Sequence, residues 1–448
     1  MKIASRGTGF LFVILFLIAS LPASALTDEE VFRDFRFNLI NPGARARGIG
    51  GAFLSLADDA TAAQANPAGL SFLLRTEYFA ELRVYDNAAQ SSVITETLPT
   101  GIDTFVARGT DLDDGASLSF LSAVIAKRSW SIGFSRQELI NIQNSTLSSF
   151  AFTFEDTPGV FLAAGAGEID VLTVNWNVSA GYRITDRFSL GATVAYSTLE
   201  VDSTVTNTIV DTENALAQQV EPVLEPTLDL QTTIKDDDDD LTYSIGMLYR
   251  VVDKWSVGAV YRRGPRFSVS EEITSVPAGL DVFGVADRLG TDFVDQFSLP
   301  DTIGVGGSWN ATSRITVATD IEFIEYSNLL DGYVPGVNVL TQPDAEFTVD
   351  DATDIRAGLE YFFPNTNKKM PPIALRGGVY TEESSEIRAK FTGTGSFATE
   401  EVFRGSGRQE HLTLGLGFIM KRYKLDLAAD FANSDNEYLI SFIYQSKK

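Results

Sequence analysis

The sequence has no cysteine and only one histidine, His411, among its 448 residues. The lack of cysteine excludes a disulfide framework, thiolate catalysis, thiolate metal sites and a lipid-attachment cysteine near the N-terminus. One imidazole cannot build a histidine metal cluster. We therefore expect no metal centre and no cofactor. A chain of this size must then be stabilised by a large, closed hydrogen-bonded structure.

Long apolar runs are also missing. Beyond residue 25 no stretch of about 18 apolar residues occurs, which excludes a helical membrane protein. Residues 1–25 have the features of a secretory signal peptide: Lys2 and Arg6, an apolar run over 10–21, and small residues at 23–25. A run of about 12 residues is too short to span a bilayer, so a retained membrane anchor is the weaker alternative.

Positive charge is scarce, with 35 basic against 60 acidic residues and a net charge of −25. Loss of Lys2 and Arg6 with the signal peptide leaves 33 basic against 60 acidic residues, a net charge of −27. Such a charge argues against a nucleic-acid partner, because phosphates select basic surfaces. It is compatible with acidic, solvated loops outside a membrane.

An alternation of apolar and polar residues dominates the chain after about residue 75, as in 172–182 and 315–323, and indicates β-strands. A tilted strand needs about 9–11 residues to cross a bilayer, more than most strands of soluble proteins contain. Fourteen segments have the alternation and sufficient length: 76–86, 116–127, 129–141, 171–183, 187–201, 240–252, 254–270, 300–310, 314–326, 352–363, 372–382, 410–421, 423–433 and 436–445.

The connections between these segments alternate between short turns, such as 127–129 and 185–186, and long polar segments, such as 87–115 and 142–170. Short periplasmic turns and long outer loops are typical of outer-membrane barrels. The sequence therefore predicts an all-β protein, with a 14-stranded antiparallel transmembrane β-barrel over residues 76–448. A soluble β protein is the weaker alternative.

Residues 26–75 lack the barrel pattern and are rich in small residues, among them Gly43, Gly48, Gly50 and Gly51. Small side chains allow the chain to fold tightly in a confined space. We interpret this segment as a plug, or hatch, inside the lumen. A flexible periplasmic tail is the alternative, because chain termini are often disordered.

Three stretches of the chain carry further motifs. The first stretch consists of 41–53, 57–62 and 66–70. The second consists of 299–301 and 317–323, and the third is 411–417. In this order they resemble the FadL/TodX family, outer-membrane transporters of long-chain fatty acids and other hydrophobic compounds. The first stretch is similar to that family's N-terminal hatch, and the family's barrel has 14 strands.

The resemblance implies a mechanism. Substrate would bind in an apolar lumen and leave sideways through the wall near a kinked third strand, while the hatch blocks a straight path to the periplasm. The residues similar to the turn of the hatch are Asn66, Pro67, Ala68 and Gly69.

The third predicted strand, 129–141, contains Gly133, the most plausible position for the kink, with Phe134 beside the opening. Glycine interrupts strands and permits bulges. The alternative is that Gly133 is an ordinary glycine facing the lumen.

A fatty-acid carboxylate would favour a basic residue in the lumen, whereas a neutral hydrocarbon would not require one. Four arginines in predicted strands are candidates for contacts to such a head group: Arg250, Arg262, Arg356 and Arg376. A run of five aspartates, residues 236–240, indicates either a divalent-cation or lipopolysaccharide site or, more commonly, a solvated charge run.

We therefore expect an outer-membrane channel that takes up long-chain fatty acids or hydrocarbons, with both termini in the periplasm. The expected partners are the hydrophobic ligand, outer-membrane lipid with lipopolysaccharide, and the barrel-assembly machinery, with no nucleic acid, and the protein is expected to be a monomer. The alternatives are a carrier or anchor of cargo in protein secretion, a passive porin, and an outer-membrane hydrolase with His411 as its base.

Overall fold

The computed structural model describes residues 37–87, 90–97, 103–112, 115–154, 157–211, 228–275, 292–330, 345–364, 370–391, 407–432 and 435–447. The predicted signal peptide, residues 1–25, lies outside these residues, as does the first part of the predicted plug, residues 26–36.

Strands form most of the described structure. They are β1 Glu77–Asn87, β2 Gln90–Thr97, β3 Asp103–Leu112, β4 Gly115–Ala126, β5 Trp130–Phe154, β6 Thr157–Arg183, β7 Phe188–Asp211, β8 Leu228–Val252, β9 Trp255–Arg262, β10 Arg266–Ser275, β11 Asp292–Ser298, β12 Thr302–Asn310, β13 Ile315–Ile324, β14 Ala345–Thr348, β15 Ala352–Phe363, β16 Ile373–Glu382, β17 Arg388–Phe391, β18 Gln409–Ile419, β19 Tyr423–Phe431 and β20 Asp435–Gln445.

The helical elements are short: α1 Ala44–Gly48, α2 Ala62–Ala65, and two 3₁₀ helices, Pro67–Phe72 and Tyr326–Leu330. Across the described ranges, no helix combines the length and the apolar composition needed to span a bilayer.

A ring of 14 described strands forms a closed antiparallel barrel. The order around the ring is β1, β4 to β9, β12, β13, β15, β16 and β18 to β20. The last strand pairs with the first along the whole of β1, from Glu77 opposite Gln445 to Asn87 opposite Asp435. This pairing removes the edge that an open sheet would expose to lipid, where a backbone group without a partner is costly. The predicted 14-stranded antiparallel barrel is confirmed.

The two faces of the wall differ as the alternation predicts. In β6 the side chains of Trp176 and Val178 are exposed on the outer surface, while Asn177 and Ser179 are buried on the inner face. The strand β13 repeats the arrangement, with Ile321 and Phe323 outside and Asp320 and Glu322 inside.

The strands β5 to β8 are much longer than predicted, with 25, 27, 24 and 25 residues. The segment 142–170, predicted as a long loop, lies mostly in paired strand, because β5 and β6 continue their ladder to Phe154 opposite Thr157. The loop prediction is wrong here. The segment contains four Phe, three Thr and two Ile, which favour strands, but its polar residues suggested a loop.

The predicted strand 254–270 is interrupted. The strand β9 ends at Arg262 and β10 begins at Arg266, with Gly264 and Pro265 between them. Proline has no N–H to donate to a ladder and glycine weakens a strand, so this pair ends the regular pairing.

Residues 37–75 lie inside the barrel, and we call them the hatch. Inward-facing glycines of the wall make room for its backbone, since a Cβ added at these positions would meet hatch atoms at 2.6 Å or less. The contacts are Gly181 to Pro67 (2.6 Å), Gly191 to Pro67 (2.2 Å), Gly246 to Asn66 (2.2 Å), Gly258 to Leu54 (2.4 Å), Gly358 to Ile49 (2.2 Å) and Gly378 to Gly50 (2.2 Å). Glycine inside a strand commonly marks such a close approach of another backbone.

Replacing Gly358 with alanine is therefore expected to lower the free energy of unfolding by about 1–3 kcal/mol, because the new Cβ overlaps the carbonyl oxygen of Ile49. The neighbouring strand offers a matched control. A Cβ at Gly377 has its nearest contact at 3.9 Å, so Gly377→Ala is expected to leave stability unchanged. Urea unfolding of the refolded barrel measures both variants. Equal stability of the two would contradict the close fit between hatch and wall.

Candidate functional site

The turn of the hatch is fixed by the side chain of Asn66. Its Oδ1 accepts a hydrogen bond from the N–H of Ala68 at 3.2 Å and so caps the 3₁₀ helix that begins with Pro67. Its Nδ2 donates to the carbonyl oxygens of Leu54, at 2.9 Å, and of Met247 in β8, at 3.0 Å. One buried amide thus closes the turn and ties it to the barrel wall.

Hydroxyl groups of the inner wall satisfy carbonyls of the hatch backbone, which would otherwise lie buried without partners. These bonds run from Ser122 to Ala60 (3.0 Å), from Ser179 and Thr193 to Ala63 (3.0 and 3.1 Å), and from Ser189 to Ala68 (3.0 Å). The polar inner faces of β4, β6 and β7 therefore serve the hatch rather than a water-filled pore.

Asp320 of β13 holds another part of the hatch. One of its carboxylate oxygens accepts hydrogen bonds from two successive N–H groups, those of Phe53 at 2.6 Å and Leu54 at 2.9 Å. Charge-assisted bonds of this kind are roughly twice as strong as neutral ones.

Ion pairs connect the helix α1 to the strands β15 and β19 of the wall. Arg45 pairs with Glu360 of β15 at 3.0 Å, and Arg47 pairs with Asp430 of β19 at 2.8 Å. Within the hatch, Arg45 also pairs with Asp58, and lies 3.7 Å from Asp59. Burial raises the pKa of the Asp59 carboxyl above its usual value, and the charge of Arg45 offsets part of this rise.

The lumen arginines Arg262 and Arg356 share one carboxylate. Each lies 2.6 Å from Glu322, and Arg356 also pairs with Asp354 at 3.3 Å. Arg262 further donates to the carbonyl oxygen of Ala65 in the hatch at 2.7 Å. Both guanidinium groups are therefore engaged by acidic residues, and that of Arg262 also by the hatch.

The other two candidate arginines are engaged as well. Arg376 pairs with Glu360 and Asp426, each at 2.7 Å. Arg250 lies near the short-turn end of the barrel, with its guanidinium 3.7 Å from the ring centre of Phe72. The four arginines do not converge on one position, and the structure pairs three of them with carboxylates.

Toward the long connections, an apolar cluster of buried residues lies where the inner wall meets the start of the hatch. It comprises Phe37, Leu139, Ile140, Ile142, Ile169, Val171, Leu199, Val201, Ile234, Phe267, Val269, Phe297, Leu299, Ile324, Tyr326, Val349, Ala352 and Ile387. Apolar side chains on the lumen side of strands are unusual for a water-filled barrel, whose interior is polar. Sequence reasoning missed this cluster, although its members in β6 and β7 lie within or directly before the predicted strands 171–183 and 187–201, on inward positions of the alternation: Ile169, Val171, Leu199 and Val201.

The third strand of the ring, β5, is irregular at Leu139. Its register against β6 shifts between Glu138 and Ile140, so that Leu139 is an extra residue, as in a β-bulge. Gly133, the predicted kink position, lies instead in a regular stretch opposite Val124 and faces Ala63 of the hatch, a Cβ there lying 3.5 Å from that of Ala63. The irregularity thus lies six residues farther along than the glycine.

The wall loses its pairing beside this bulge. The ladder between β4 and β5 ends at Phe120 opposite Gln137, and β5 next pairs with β3, from Asn144 opposite Leu112. The gap is covered from the lumen by the start of the hatch, because Asn38 donates to the carbonyl oxygens of Leu139 and Glu138, both at 2.8 Å. Phe134, predicted to lie beside the opening, is exposed on the outer surface nearer the short-turn end.

Among the described residues, no group of three or more His, Cys, Asp or Glu side chains could hold a metal ion. His411 lies 3.0 Å from Asp430 and stacks on Tyr380, with 4.1 Å between the ring centres. It is part of the polar contacts around Arg47.

The shared carboxylate gives a test of the ion-pair network. Glu322→Gln leaves Arg262 and Arg356 buried with less compensating charge, and is expected to lower the free energy of unfolding by about 3–5 kcal/mol. Lys235→Gln is the control, because it removes an exposed pair with Asp202 and is expected to cost at most about 1 kcal/mol. Urea unfolding measures both, and similar losses would contradict the assigned role of the buried pairs.

The comparisons with known proteins agree with this geometry. No curated protein matches the chain. Among solved structures, a Pseudomonas aeruginosa FadL homologue is similar with a TM-score of 0.60 and 13% identity, over 90% of this chain and 98% of that one. The toluene transporters TbuX of Ralstonia pickettii and TodX of P. putida match with TM-scores of 0.55 and 0.54, each at 15% identity, over 92% of this chain and all of theirs. At such identities the likeness shows the fold alone.

The family is established by the sequence itself. Residues 37–384 match the family model described as outer membrane protein transport protein (OMPP1/FadL/TodX), which covers most of the chain. The protein therefore belongs to the OMPP1/FadL/TodX family of outer-membrane channels for hydrophobic compounds.

Proposed function

We propose that this barrel takes up small, uncharged hydrophobic molecules, which bind in the apolar cluster and leave sideways through the wall beside Leu139. The observation that carries the proposal is the contact between the two features: Leu139, Ile140 and Ile142 belong both to the irregular part of β5 and to the cluster. A molecule in the cluster thus lies next to unpaired wall.

A path straight through the lumen is disfavoured by the way the hatch is held. Wall glycines meet its backbone, wall hydroxyls bond its carbonyls, and Asp320, Glu360 and Asp430 bind it through charge. Moving the hatch aside would break these contacts together. We propose that the hatch stays in place and that the short turns and both chain termini face the periplasm, as in other outer-membrane barrels.

Sideways release suits an apolar solute. Passing from the cluster into the membrane, it does not re-enter water and so avoids a cost of about 0.8 kcal/mol for each CH₂ group exposed. Opening the route requires displacement of Asn38, whose two hydrogen bonds cover the gap between β4 and β5. The hatch therefore covers the gap with Asn38, close to its start, and the rest of the hatch can stay in place when the gap opens.

The charges of the lumen favour an uncharged substrate. Arg262, Arg356 and Arg376 are compensated by buried carboxylates, and each removal of a compensating contact would be costly. A fatty-acid carboxylate would compete with these carboxylates for the same guanidinium groups. The names of two structural neighbours, both toluene transporters, describe such uncharged substrates for those proteins.

Uptake by a host strain without its own hydrophobic-compound channels tests the substrate class. Cells producing this protein are expected to accumulate a labelled monoaromatic hydrocarbon or alkane faster than cells with an empty vector, and to show little gain for a long-chain fatty acid. Preferential uptake of the fatty acid would overturn the uncharged class. No gain for any of these compounds would overturn the proposed transport.

Deletion of Leu139 tests the route. Removing the extra residue restores the register of β5 and β6, narrows the gap, and is expected to abolish most hydrocarbon uptake. Leu139→Ala keeps the bulge and serves as the control, with uptake close to that of the parent. A heat-modifiable gel shift verifies that both variants fold. Full uptake by the deletion variant would exclude this gap as the exit.

A further inference from the structure

The barrel wall also has a break between β8 and residues 263–270, which lead from β9 into β10. The ladder of β8 with β9 stops at Ser244 opposite Arg262, apart from one further bond from Arg263 N–H to the carbonyl oxygen of Tyr243 at 3.0 Å. It resumes with β10 at Ile234 opposite Glu271. Between these pairs lie residues 235–243 of β8 and residues 263–270 of the opposing chain, one residue fewer.

Aspartate side chains bridge this break in place of backbone carbonyls. The Oδ2 atoms of Asp236, Asp238 and Asp240 accept hydrogen bonds from successive outward residues of β10. The donors are the N–H groups of Ser270 (2.8 Å), Ser268 (2.7 Å) and Arg266 (3.0 Å). We call these six residues the carboxylate seam. They account for three of the five aspartates in the run 236–240, which is therefore not simply a solvated charge run.

A side-chain bridge differs from a ladder in how it opens. The strand β8 remains fully paired with β7 across the same stretch, including Val201 opposite Asp236 and Ser197 opposite Asp240. A backbone ladder separates only when a strand moves, whereas a carboxylate releases its donor by rotation of one side chain. The seam can thus part while β8 keeps its place, and water hydrates the released charges.

The seam adjoins the apolar cluster. Phe267 and Val269 of β10 alternate with the three N–H donors, and both side chains are buried in the cluster, together with Ile234 at the far end of the seam. The strand β9 has 8 residues before the break, and a tilted strand needs about 9–11 to cross the bilayer. The lower end of the seam therefore lies at the outer part of the lipid, level with exposed Leu241 and Tyr243.

We propose that the carboxylate seam is a second lateral passage, through which uncharged hydrophobic molecules exchange between the outer part of the membrane and the apolar cluster. Release of the three aspartate side chains opens it, and the ion pair of Arg263 with Asp240, at 3.2 Å, closes its lower end. The passage serves the uptake proposed above and so rests on that function, but its opening is measurable without transport.

Labelling of one cysteine in liposomes measures the opening. The chain has no cysteine, so Val269→Cys provides a single thiol behind the seam for a maleimide dissolved in the lipid. In this background, Asp236→Ala, Asp238→Ala and Asp240→Ala together are expected to raise the labelling rate about tenfold, because three bridging hydrogen bonds are lost. The three corresponding Asp→Asn changes keep an oxygen acceptor and are expected to stay near the parent rate.

Ile142→Cys is the matched control, because Ile142 lies in the same cluster but in β5, away from the seam. Its labelling rate is expected to be unaffected by the alanine changes. An unchanged rate at Val269→Cys would overturn the proposal, and so would an equal rise at both positions, which would indicate general loosening of the barrel. Heat-modifiable gel mobility verifies the folded state of each variant.

Cross-linking of the seam measures its part in transport. Asp238→Cys with Ser268→Cys, joined by a short reducible thiol cross-linker, is expected to lower hydrocarbon uptake at least twofold, with recovery after reduction. The control pair, Met247→Cys with Ala259→Cys, joins β8 and β9 where the ladder is intact and is expected to have no effect. Undiminished uptake with a fully cross-linked seam would exclude the passage. Absence of uptake by the parent protein would instead count against the proposed function, and the labelling result would still stand.

Discussion

The closed backbone hydrogen bonding of the wall is the constraint on which the rest of this structure depends. In lipid, each unpaired backbone group costs several kcal/mol, so every break in the ladder needs an explanation. The pairing of β1 with β20 removes the edge that an open sheet would expose. Against this background, the two breaks at Leu139 and at the carboxylate seam are exceptions that the protein compensates by other means.

Compensation comes from a different source at each break. Beside Leu139, the hatch supplies Asn38, whose backbone and side chain both donate to exposed carbonyls. At the seam, β8 supplies carboxylates that accept the free N–H groups of β10. Both devices satisfy the backbone without a continuous ladder, and both lie against the same apolar cluster.

The hatch depends on the wall for its stability. Helices of four or five residues are too short to be stable alone, so the hatch needs its contacts with the wall. Its order comes from inward glycines, serines and threonines of the wall, together with Asp320, Glu360 and Asp430. The same contacts fill the lumen, so a polar inner wall here indicates an occupied barrel and not a water channel.

Much of the architecture was predictable from the sequence, because alternation and turn length are local properties. The faces of 172–182 and 315–323 follow directly from their residues, and the number of strands follows from the segments that are long enough to span. The Asn-Pro-Ala turn was also recognisable, since its chemistry is contained within Asn66 to Ala68.

The positions of the breaks were not predictable in the same way. The flexibility of glycine predicts a kink at Gly133, but its lack of a side chain serves contact with Ala63 of the hatch, a partner 70 residues earlier in the chain. No local sequence pattern marks the bulge at Leu139. A bulge is defined by how its two neighbours, here Glu138 and Ile140, pair with another strand, here β6. The arginines of the lumen looked available only because their carboxylate partners lie on other strands. One sequence signal did indicate where the hatch contacts the wall. Glycines recur at inward positions of successive strands.

We propose that hydrophobic molecules pass through the wall while the hatch remains in place. Ala63→Cys with Gly133→Cys tests it most directly, because the Cβ positions are 3.5 Å apart, within the range of roughly 3.5–4.5 Å for a disulfide. The bond would lock the hatch to β5 in a chain that has no other cysteine. Our account predicts that hydrocarbon uptake continues undiminished in the oxidised protein. Uptake that stops on oxidation and returns on reduction would contradict it.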